Sequence, residues 1–470
     1  MANEHLITTK NLTTMKRIFI FSLLSIAMLT SAMAQNPDFN GAWKGAIEAG
    51  PYSLTLVFHI EQNGDNVSFS WDSPDQGGFD LPGTATINGN ELNVDIPDYN
   101  ASYHGTLKGD TLDGTFTQGG NTPLRMTRKD ANDDDQNDRP QEAAIEADQN
   151  KPYRCEEVTF TNDGITFSGT MTIPSTGSNF PAVVLVAGSG PHDRDENVFR
   201  HKPFLLLADA LSRNGFIVLR YDERGVGATV GGNPFAPTEP LATDAMAALR
   251  YLKTRPEVNA TQVGIMGHSE GGMIAIMNAA KHPDEVAYIV SLAGTGVNGV
   301  ELGKQQTRLL SKSMGLEVSD EVLALNDQAL SIIAAEKDSV TLRNKLIEFY
   351  ESHPEAQPSF NGQSLDEIID QIFITSCVIQ YDPTDNLKLV KCPMLAINGA
   401  LDSQVACKEN LEAIAHLVPH ATVKAYEGLN HFFQTCDDWV GSTRYDLIHE
   451  TMNPQVINDI VNWLQSTVKQ

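Results

Sequence analysis

One short segment holds the residue types and spacing that nucleophilic catalysis requires. Residues 267–272 read GHSEGG and lie between an apolar run that ends at Met266 and a helical pattern that follows. Glycines beside Ser269 permit a tight strand-to-helix turn that pushes the hydroxyl outward. The N-terminal end of the next helix would favour the negative charge that develops in acyl transfer. This context predicts that Ser269 is a nucleophile.

A serine hydroxyl needs a neighbouring base, and the base needs an orienting acid. With a nucleophile on a strand–turn–helix, the acid and the histidine come later in the chain. Asp402 follows the strand pattern at 394–398, and His431 follows the strand pattern at 422–426. Each would lie at the carboxyl end of a strand. The sequence therefore predicts a catalytic triad of Ser269, Asp402 and His431.

An oxyanion hole needs two backbone N–H groups. We expect the first from Glu270, directly after the nucleophile, and the second from the glycine-rich loop 187–195 after an early strand. Gly190 is the preferred second donor, because glycine lets the backbone approach a ligand closely, and Ser189 is the alternative. The charged residues 192–195 are interpreted as fixing this loop through ion pairs, with substrate contact as the alternative.

The elements that must position these residues follow an alternating pattern from residue 151 to residue 470. Strand and helix patterns alternate over 182–187, 203–213, 216–221, 241–253, 262–266, 269–281 and 286–292. Such alternation predicts a doubly wound α/β domain with a mostly parallel sheet, whose ligands lie at the carboxyl ends of the strands. The stretch at about 300–380 has helical patterns without strands, and we interpret it as a cap over the site.

The residues before this domain have other patterns. Residues 35–128 show short alternating runs with turn residues between them, including the hairpin signal Asn88-Gly89. About eight such runs predict a small all-β barrel or sandwich. Residues 129–150 are rich in acidic side chains and poor in aromatic ones, so we expect an exposed linker there.

Residues 1–34 have the pattern of a secretory signal. Lys16 and Arg17 precede an apolar run over 18–29, and small residues end the segment. Met15 is an alternative start, which would leave extra residues before the signal. The apolar run is short for a bilayer core of about 30 Å, so we expect export to the periplasm or the medium and no stable membrane insertion.

Composition narrows the function classes. The chain has 33 Lys and Arg against 60 Asp and Glu, a formal net charge of -27, which would repel a phosphate backbone and disfavours nucleic-acid binding. None of the five cysteines has the paired spacing of a zinc site, so no metal site is predicted. Cys407 and Cys436 follow Asp402 and His431 at the same spacing, and a disulfide could brace the two loops if they meet.

Over about residues 153–470 the chain resembles the bacterial serine esterases related to the serine aminopeptidase and lysophospholipase group of α/β-hydrolases. The resemblance rests on five ordered motifs: GSGP at 188–191 with DRD at 193–195, RYDERG at 220–225, GHSEGG at 267–272, NG at 398–399 with Asp402 and QV at 404–405, and LNH at 429–431. It implies Ser269 as nucleophile, Asp402 as orienting acid, His431 as base and no cofactor.

The favoured function is hydrolysis of a small, neutral carboxylic ester with a short or medium acyl chain, through an acyl-enzyme. One alternative is a serine peptidase or amidase that uses the same triad. Another is a secreted binding protein whose β domain captures a glycan or lipid. The sequence leaves the physiological substrate and the oligomeric state open.

Overall fold

A computed structural model of the chain describes residues 38–49, 52–63, 66–76, 78–118, 120–129, 139–356 and 364–468. Two sequence predictions lie outside the described residues: the secretory signal over 1–34 and the first part of the acidic linker at 130–138. Within the part of the chain that is described, no helix has the length and apolar character needed to cross a membrane.

The first described part of the chain is a nine-stranded antiparallel sheet. Its strands are β1 (Gly41–Ala49), β2 (Tyr52–Asn63), β3 (Asn66–Ser73), β4 (Gly78–Pro82), β5 (Thr84–Asn88), β6 (Glu91–Ile96), β7 (Ala101–Lys108), β8 (Thr111–Gln118) and β9 (Asn121–Arg128). Because β1 pairs with β9, the strand order is β4-β3-β2-β1-β9-β8-β7-β6-β5, a nearly closed barrel. Alternate side chains, among them Trp43, Phe58 and Tyr103, fill its core. The predicted all-β domain is confirmed.

The described part of the predicted acidic linker (129–150) forms a helix that is buried on one side, so the expectation of an exposed linker holds only in part. Helix α1 (Pro140–Ala147) begins with proline, a suitable first-turn residue, and its Glu142 is 4% exposed. The guanidinium of Arg139 donates from Nη2 to the carbonyl oxygen of Phe199 at 2.7 Å. Acidic composition favours solvation only while the charges lack partners, and here each buried charge has a hydrogen-bonding partner.

An eight-stranded sheet forms the centre of the second part. Its strands are β10 (Tyr153–Asn162), β11 (Ile165–Pro174), β12 (Phe180–Val186), β13 (Ile217–Tyr221), β14 (Val258–His268), β15 (Ile289–Leu292), β16 (Met394–Gly399) and β17 (Thr422–Tyr426). The order is β10-β11-β13-β12-β14-β15-β16-β17; the β10–β11 and β11–β13 pairs are antiparallel, and the later pairs are parallel. The predicted mostly parallel α/β sheet is confirmed.

Helices cover both faces of this sheet. The helices of this part of the chain are α2 (Pro203–Arg213), α3 (Thr238–Lys253), α4 (Glu270–Lys281), α5 (Gly299–Ser313), α6 (Asp320–Ala335), α7 (Ser339–Ser352), α8 (Leu365–Ile379), α9 (Thr384–Leu389), α10 (Cys407–Leu417) and α11 (Pro454–Val468). The apolar sides of α3, α4 and α10 join one core, and those of α2 and α11 join the other. Helices α5 to α8 occupy the stretch interpreted as a cap, and α6 to α8 share a small core of their own.

A buried aspartate joins the barrel to the α/β part. Asp75 lies in a short 3-10 helix after β3 and is 3% exposed. Its Oδ2 accepts the N–H of Thr55 at 2.6 Å within the barrel, and its Oδ1 accepts Nε–H of Arg200 at 3.2 Å. The carbonyl oxygen of Asp75 accepts the N–H of Phe199. The barrel therefore holds the segment that precedes α2.

A stability prediction concerns the buried ion pair between Arg224 and Asp244. Two hydrogen bonds of 2.8 Å join the side chains, which are 7% and 1% exposed. Asp244→Ala should lower the free energy of unfolding by about 3–5 kcal/mol, because the guanidinium is left buried without its carboxylate. Glu285→Ala, which breaks the more exposed pair with Arg250, should cost at most about 1 kcal/mol. Urea denaturation measures both, and equal losses would contradict the expectation.

Candidate active site

Ser269 lies at the turn from β14 to α4 with backbone angles φ 52° and ψ −114°. Non-glycine residues rarely adopt such angles, and the surrounding structure must hold them in place. The N–H of Ser269 donates to the carbonyl oxygen of Leu292, at the end of the neighbouring strand, at 2.8 Å. The turn thus has the geometry of a nucleophile elbow, in which the serine is presented at the carboxyl edge of the sheet.

Close backbone packing explains the glycines around Ser269. A Cβ on Gly271 would collide with the carbonyl oxygen of Val186 at the end of β12, and one on Gly267 would collide with the carbonyl oxygen of Gly271. A Cβ on Gly188 would lie 3.2 Å from Cβ of Ser269. The tight strand-to-helix turn predicted from these glycines is confirmed.

Asp402 and His431 form a buried pair. Nδ1 of His431 lies 2.7 Å from Oδ2 of Asp402, and the residues are 2% and 0% exposed. Oδ1 of Asp402 accepts the N–H groups of Gln404 at 2.7 Å and Val405 at 2.9 Å, which fix the carboxylate. A carboxylate at Nδ1 favours the tautomer with its proton on that nitrogen, which leaves Nε2 of a neutral imidazole able to accept a proton.

Ser269 and His431 open on one cleft of about 480 Å3. Leu302 of α5 and Val378 and Ile379 of α8 line it from the cap side. Further apolar walls are Val198, Phe199, Met273, Val405, Phe432 and Tyr445. Asp402 lies behind His431, so the structure brings the three predicted triad residues together at the carboxyl edge of the sheet.

The predicted oxyanion donors differ in whether they line the cleft with an available N–H group. Glu270 is the first residue of α4, where a backbone N–H has no acceptor in a preceding turn. Gly188 and Ser189 line the cleft, whereas Gly190, with φ 108°, is not among the described residues that do. The N–H of Gly188 already donates to Oε1 of Glu196. The geometry therefore favours Ser189 over Gly190 as the second donor.

The charged loop 192–195 is held mainly by ion pairs. Arg194 donates to both carboxylate oxygens of Asp222, from Nε at 3.0 Å and from Nη2 at 2.8 Å. Arg220 pairs with Asp195. Only His192 of the four reaches the cleft. The interpretation as loop architecture is confirmed for Arg194 and Asp195, and substrate contact stays open for His192.

Glu196 and His268 are site residues that the sequence reasoning missed. Oε1 of Glu196 accepts the N–H of Gly188 at 2.7 Å and lies 2.8 Å from Nδ1 of His268. Burial opposes the charged form of each, yet the attraction between them raises the pKa of His268 and lowers that of Glu196. The signal was an acidic residue just beyond the DRD motif and a histidine inside GHSEGG, but no spacing rule connects them.

Cys407 and Cys436 are both free, so the structure does not contain the disulfide considered as a brace between the two loops. The Sγ of Cys407 lies 3.8 Å from the carbonyl oxygen of Asn398, and the Sγ of Cys436 lies 3.7 Å from that of Gly428. Within the described ranges, no three His, Cys, Asp or Glu side chains come together as a metal ion would require.

Comparison with known proteins places this geometry in a family. Residues 201–435, half of the chain, match the family described as serine aminopeptidase, S33. The chain belongs to this family of α/β-hydrolases. The predicted resemblance is confirmed, and with it the prediction of an enzyme of the serine hydrolase class.

Among individual relatives, the chain is similar to esterase EstD of Thermotoga maritima, with 27% identity over 322 residues, 67% of this chain and 68% of the relative. It is also similar to an uncharacterized protein, Rv2307c, of Mycobacterium tuberculosis, with 34% identity over 133 residues, 28% of this chain and 43% of the relative. A solved structure, Est1E of Butyrivibrio proteoclasticus with ferulic acid bound, has 15% identity and a TM-score of 0.42, and covers 67% of this chain and 100% of its own.

A prediction tests the packing at the elbow. Gly271→Ala should lower the turnover number by about 100-fold or more, because a displacement of about 1 Å at the reacting centre has that effect. Gly441→Ala is the matched control, since its Cβ would meet nothing nearer than 3.6 Å. Turnover and thermal unfolding of both variants measure this, and a fully active Gly271→Ala enzyme would contradict it.

A second prediction concerns the barrel. Phe199 lines the cleft, and its neighbour Arg200 donates to the side-chain carboxylate of Asp75 in the barrel. Asp75→Asn keeps an acceptor for Thr55 but places an amide against Arg200, and a hydrogen bond to a charged group contributes about 1.5–3 kcal/mol. We expect KM for a chromogenic ester to rise about 3- to 10-fold with kcat within about twofold. Asp113→Asn, on the exposed side of the barrel, should change neither, and unchanged KM in Asp75→Asn would contradict the role.

Proposed function

We propose that the chain is a serine hydrolase of carboxylic esters that works through an acyl-enzyme on Ser269. One observation carries this proposal: a strained serine at a nucleophile elbow opens on the same cleft as a histidine whose far nitrogen is held by a fully buried aspartate. The relative from Thermotoga maritima is named an esterase, which supports an ester as the substrate.

In the proposed reaction, Oγ of Ser269 attacks the ester carbonyl carbon while Nε2 of His431 takes the hydroxyl proton. The N–H groups of Glu270 and Ser189 stabilise the negative oxygen of the tetrahedral intermediate. His431 then gives its proton to the departing alkoxide, and the acyl-enzyme remains. Water, deprotonated by His431, cleaves the acyl-enzyme and restores Ser269. Asp402 holds the imidazole throughout and favours the imidazolium that forms.

The cleft supports a neutral substrate with a short or medium acyl chain. Its walls are largely apolar, and its volume of about 480 Å3 suits a small molecule. The carboxylate of Glu270 at the cleft and the net charge of -27 disfavour an anionic substrate. Export remains part of the proposal and rests on the sequence of residues 1–34.

An amide substrate is the second candidate, because the matching family is described as serine aminopeptidases. The triad chemistry is shared, but an amine leaving group depends more strongly on protonation by His431 than an alkoxide does. The two candidates differ in whether the cleft holds an alkoxide or an amine leaving group next to His431. Esters and amides with the same acyl group distinguish them.

The deciding experiment is hydrolysis of p-nitrophenyl esters from acetate to decanoate, with aminoacyl p-nitroanilides in parallel. Ser269→Ala should lower kcat/KM by at least about 10^4-fold, and Asp402→Ala and His431→Ala by similar factors, because residues that act as one unit each remove most of the catalysis. Ser352→Ala, on the exposed surface of α7, is the control and should retain full activity.

An optimum at short or medium acyl chains would support the proposal. Hydrolysis that survives in Ser269→Ala would overturn the triad assignment. Turnover of the anilides but of none of the esters would replace the esterase proposal with the amidase alternative.

A further inference from the structure

The ring of His268 lies between two hydrogen-bond acceptors. Its Nδ1 is 2.8 Å from Oε1 of Glu196, and its Nε2 is 3.1 Å from the carbonyl oxygen of His431. The side chains of His268 and Glu196 are 6% and 2% exposed, so water has little access to either. This arrangement lies beside the proposed triad, since the rings of His268 and His431 have centroids 4.7 Å apart.

The two contacts decide the protonation state of His268. A neutral imidazole carries one N–H, a carbonyl oxygen can only accept, and an ionised carboxylate can only accept. Both contacts are therefore satisfied at once by an imidazolium facing an ionised Glu196. The other solution, a neutral imidazole with protonated Glu196, would place that proton on Oε1, where the N–H of Gly188 already donates at 2.7 Å. The backbone donor thus favours the charged pair.

We propose that Glu196 and protonated His268 form a buried ion pair that positions the catalytic groups without taking part in the chemistry. This inference rests on the proposed function of the site. The pair connects three segments: Glu196 holds Gly188 in the loop with the oxyanion donor, His268 directly precedes Ser269, and its Nε2 holds the backbone of His431. The other titratable groups near the pair are His431 and Asp402 beside His268, and His192 and Glu223 beside Glu196.

The energetic argument is one of mutual dependence. A buried charge without a partner is costly. Oε2 of Glu196 has no hydrogen-bond partner among the described residues, so the ionised carboxylate depends on Gly188 and His268, which both contact Oε1. Removing the charge of Glu196 would leave an imidazolium without its counter-charge, so His268 would lose a proton and with it one of its two contacts. The loops that carry Gly188 and His431 would then lose their common anchor, and both positions matter to the transition state more than to substrate binding.

The first test reads the protonation state directly. Nitrogen-15 NMR of histidine-labelled protein at pH 8 should show two protonated ring nitrogens for His268, with the signal assigned by its loss in His268→Gln. An ordinary histidine, with a pKa of about 6.5, is neutral at that pH. A single protonated nitrogen on His268 at pH 8 would overturn the proposal, whatever the enzyme's activity.

The second test is kinetic. Glu196→Gln keeps the shape and an acceptor for Gly188 but removes the charge. We expect kcat to fall about 10- to 100-fold with KM within about twofold, because the lost positioning acts mainly in the transition state. The fraction of active enzyme is measured by titration with a serine-directed phosphonate, so misfolded protein does not count as slow enzyme. Glu285→Gln, at a partly exposed partner of Arg250 away from the cleft, is the matched control and should keep full kcat.

The double variant Glu196→Gln/His268→Gln completes a double-mutant cycle with the two single variants. Because it removes both charges together, its kcat should be no lower than that of His268→Gln alone, which leaves Glu196 buried and unpaired. If the losses of kcat in the two single variants add up in the double variant, the proposed ion pair is overturned. If wild type hydrolyses no ester, the proposed function fails, while the NMR result still decides the ion pair by itself.

Discussion

The site depends on how closely the start of α4 packs against the end of β12. No side chain fits at Gly271, and this contact fixes the turn in which Ser269 takes its positive φ. Because the parallel strands on either side end at the same edge, the loops after β16 and β17 face the same turn. The catalytic arrangement therefore follows from backbone packing at one point and from strand order around it.

Buried charges with partners hold the loops at this edge. Asp402 accepts two backbone N–H groups besides its contact with His431, so its carboxylate is fixed before any substrate arrives. Arg194 ties the oxyanion loop to Asp222 in the same way. In a chain with a net charge of -27, such carboxylates are stable in the interior only because each has donors at hydrogen-bond distance. Preorganised groups of this kind need little rearrangement during reaction.

The sequence predicted what depends on local spacing and chain order. Ser269 followed from glycines at fixed offsets, and Asp402 and His431 followed from the strands that precede them. The partnership of Glu196 with His268 spans 72 positions and has no local pattern, so only the folded chain reveals it. The choice between Gly190 and Ser189 depends on backbone direction within a turn, which composition does not determine. Helix α1 was missed because its acidic residues read as solvated, although Glu142 is buried and accepts the N–H of Lys202.

The barrel contributes to the site because it helps to hold the segment before α2, whose backbone is strained. Glu196, Phe199 and Arg200 all have positive φ, which non-glycine residues adopt only where several contacts hold them. Those contacts come from three directions: His268 at the elbow, Arg139 before α1, and Asp75 from the barrel. The same segment contributes Phe199 to the cleft wall and Glu196 to the proposed ion pair with His268. A domain that contributes no residue to the proposed chemistry thus helps to define the shape in which that chemistry occurs.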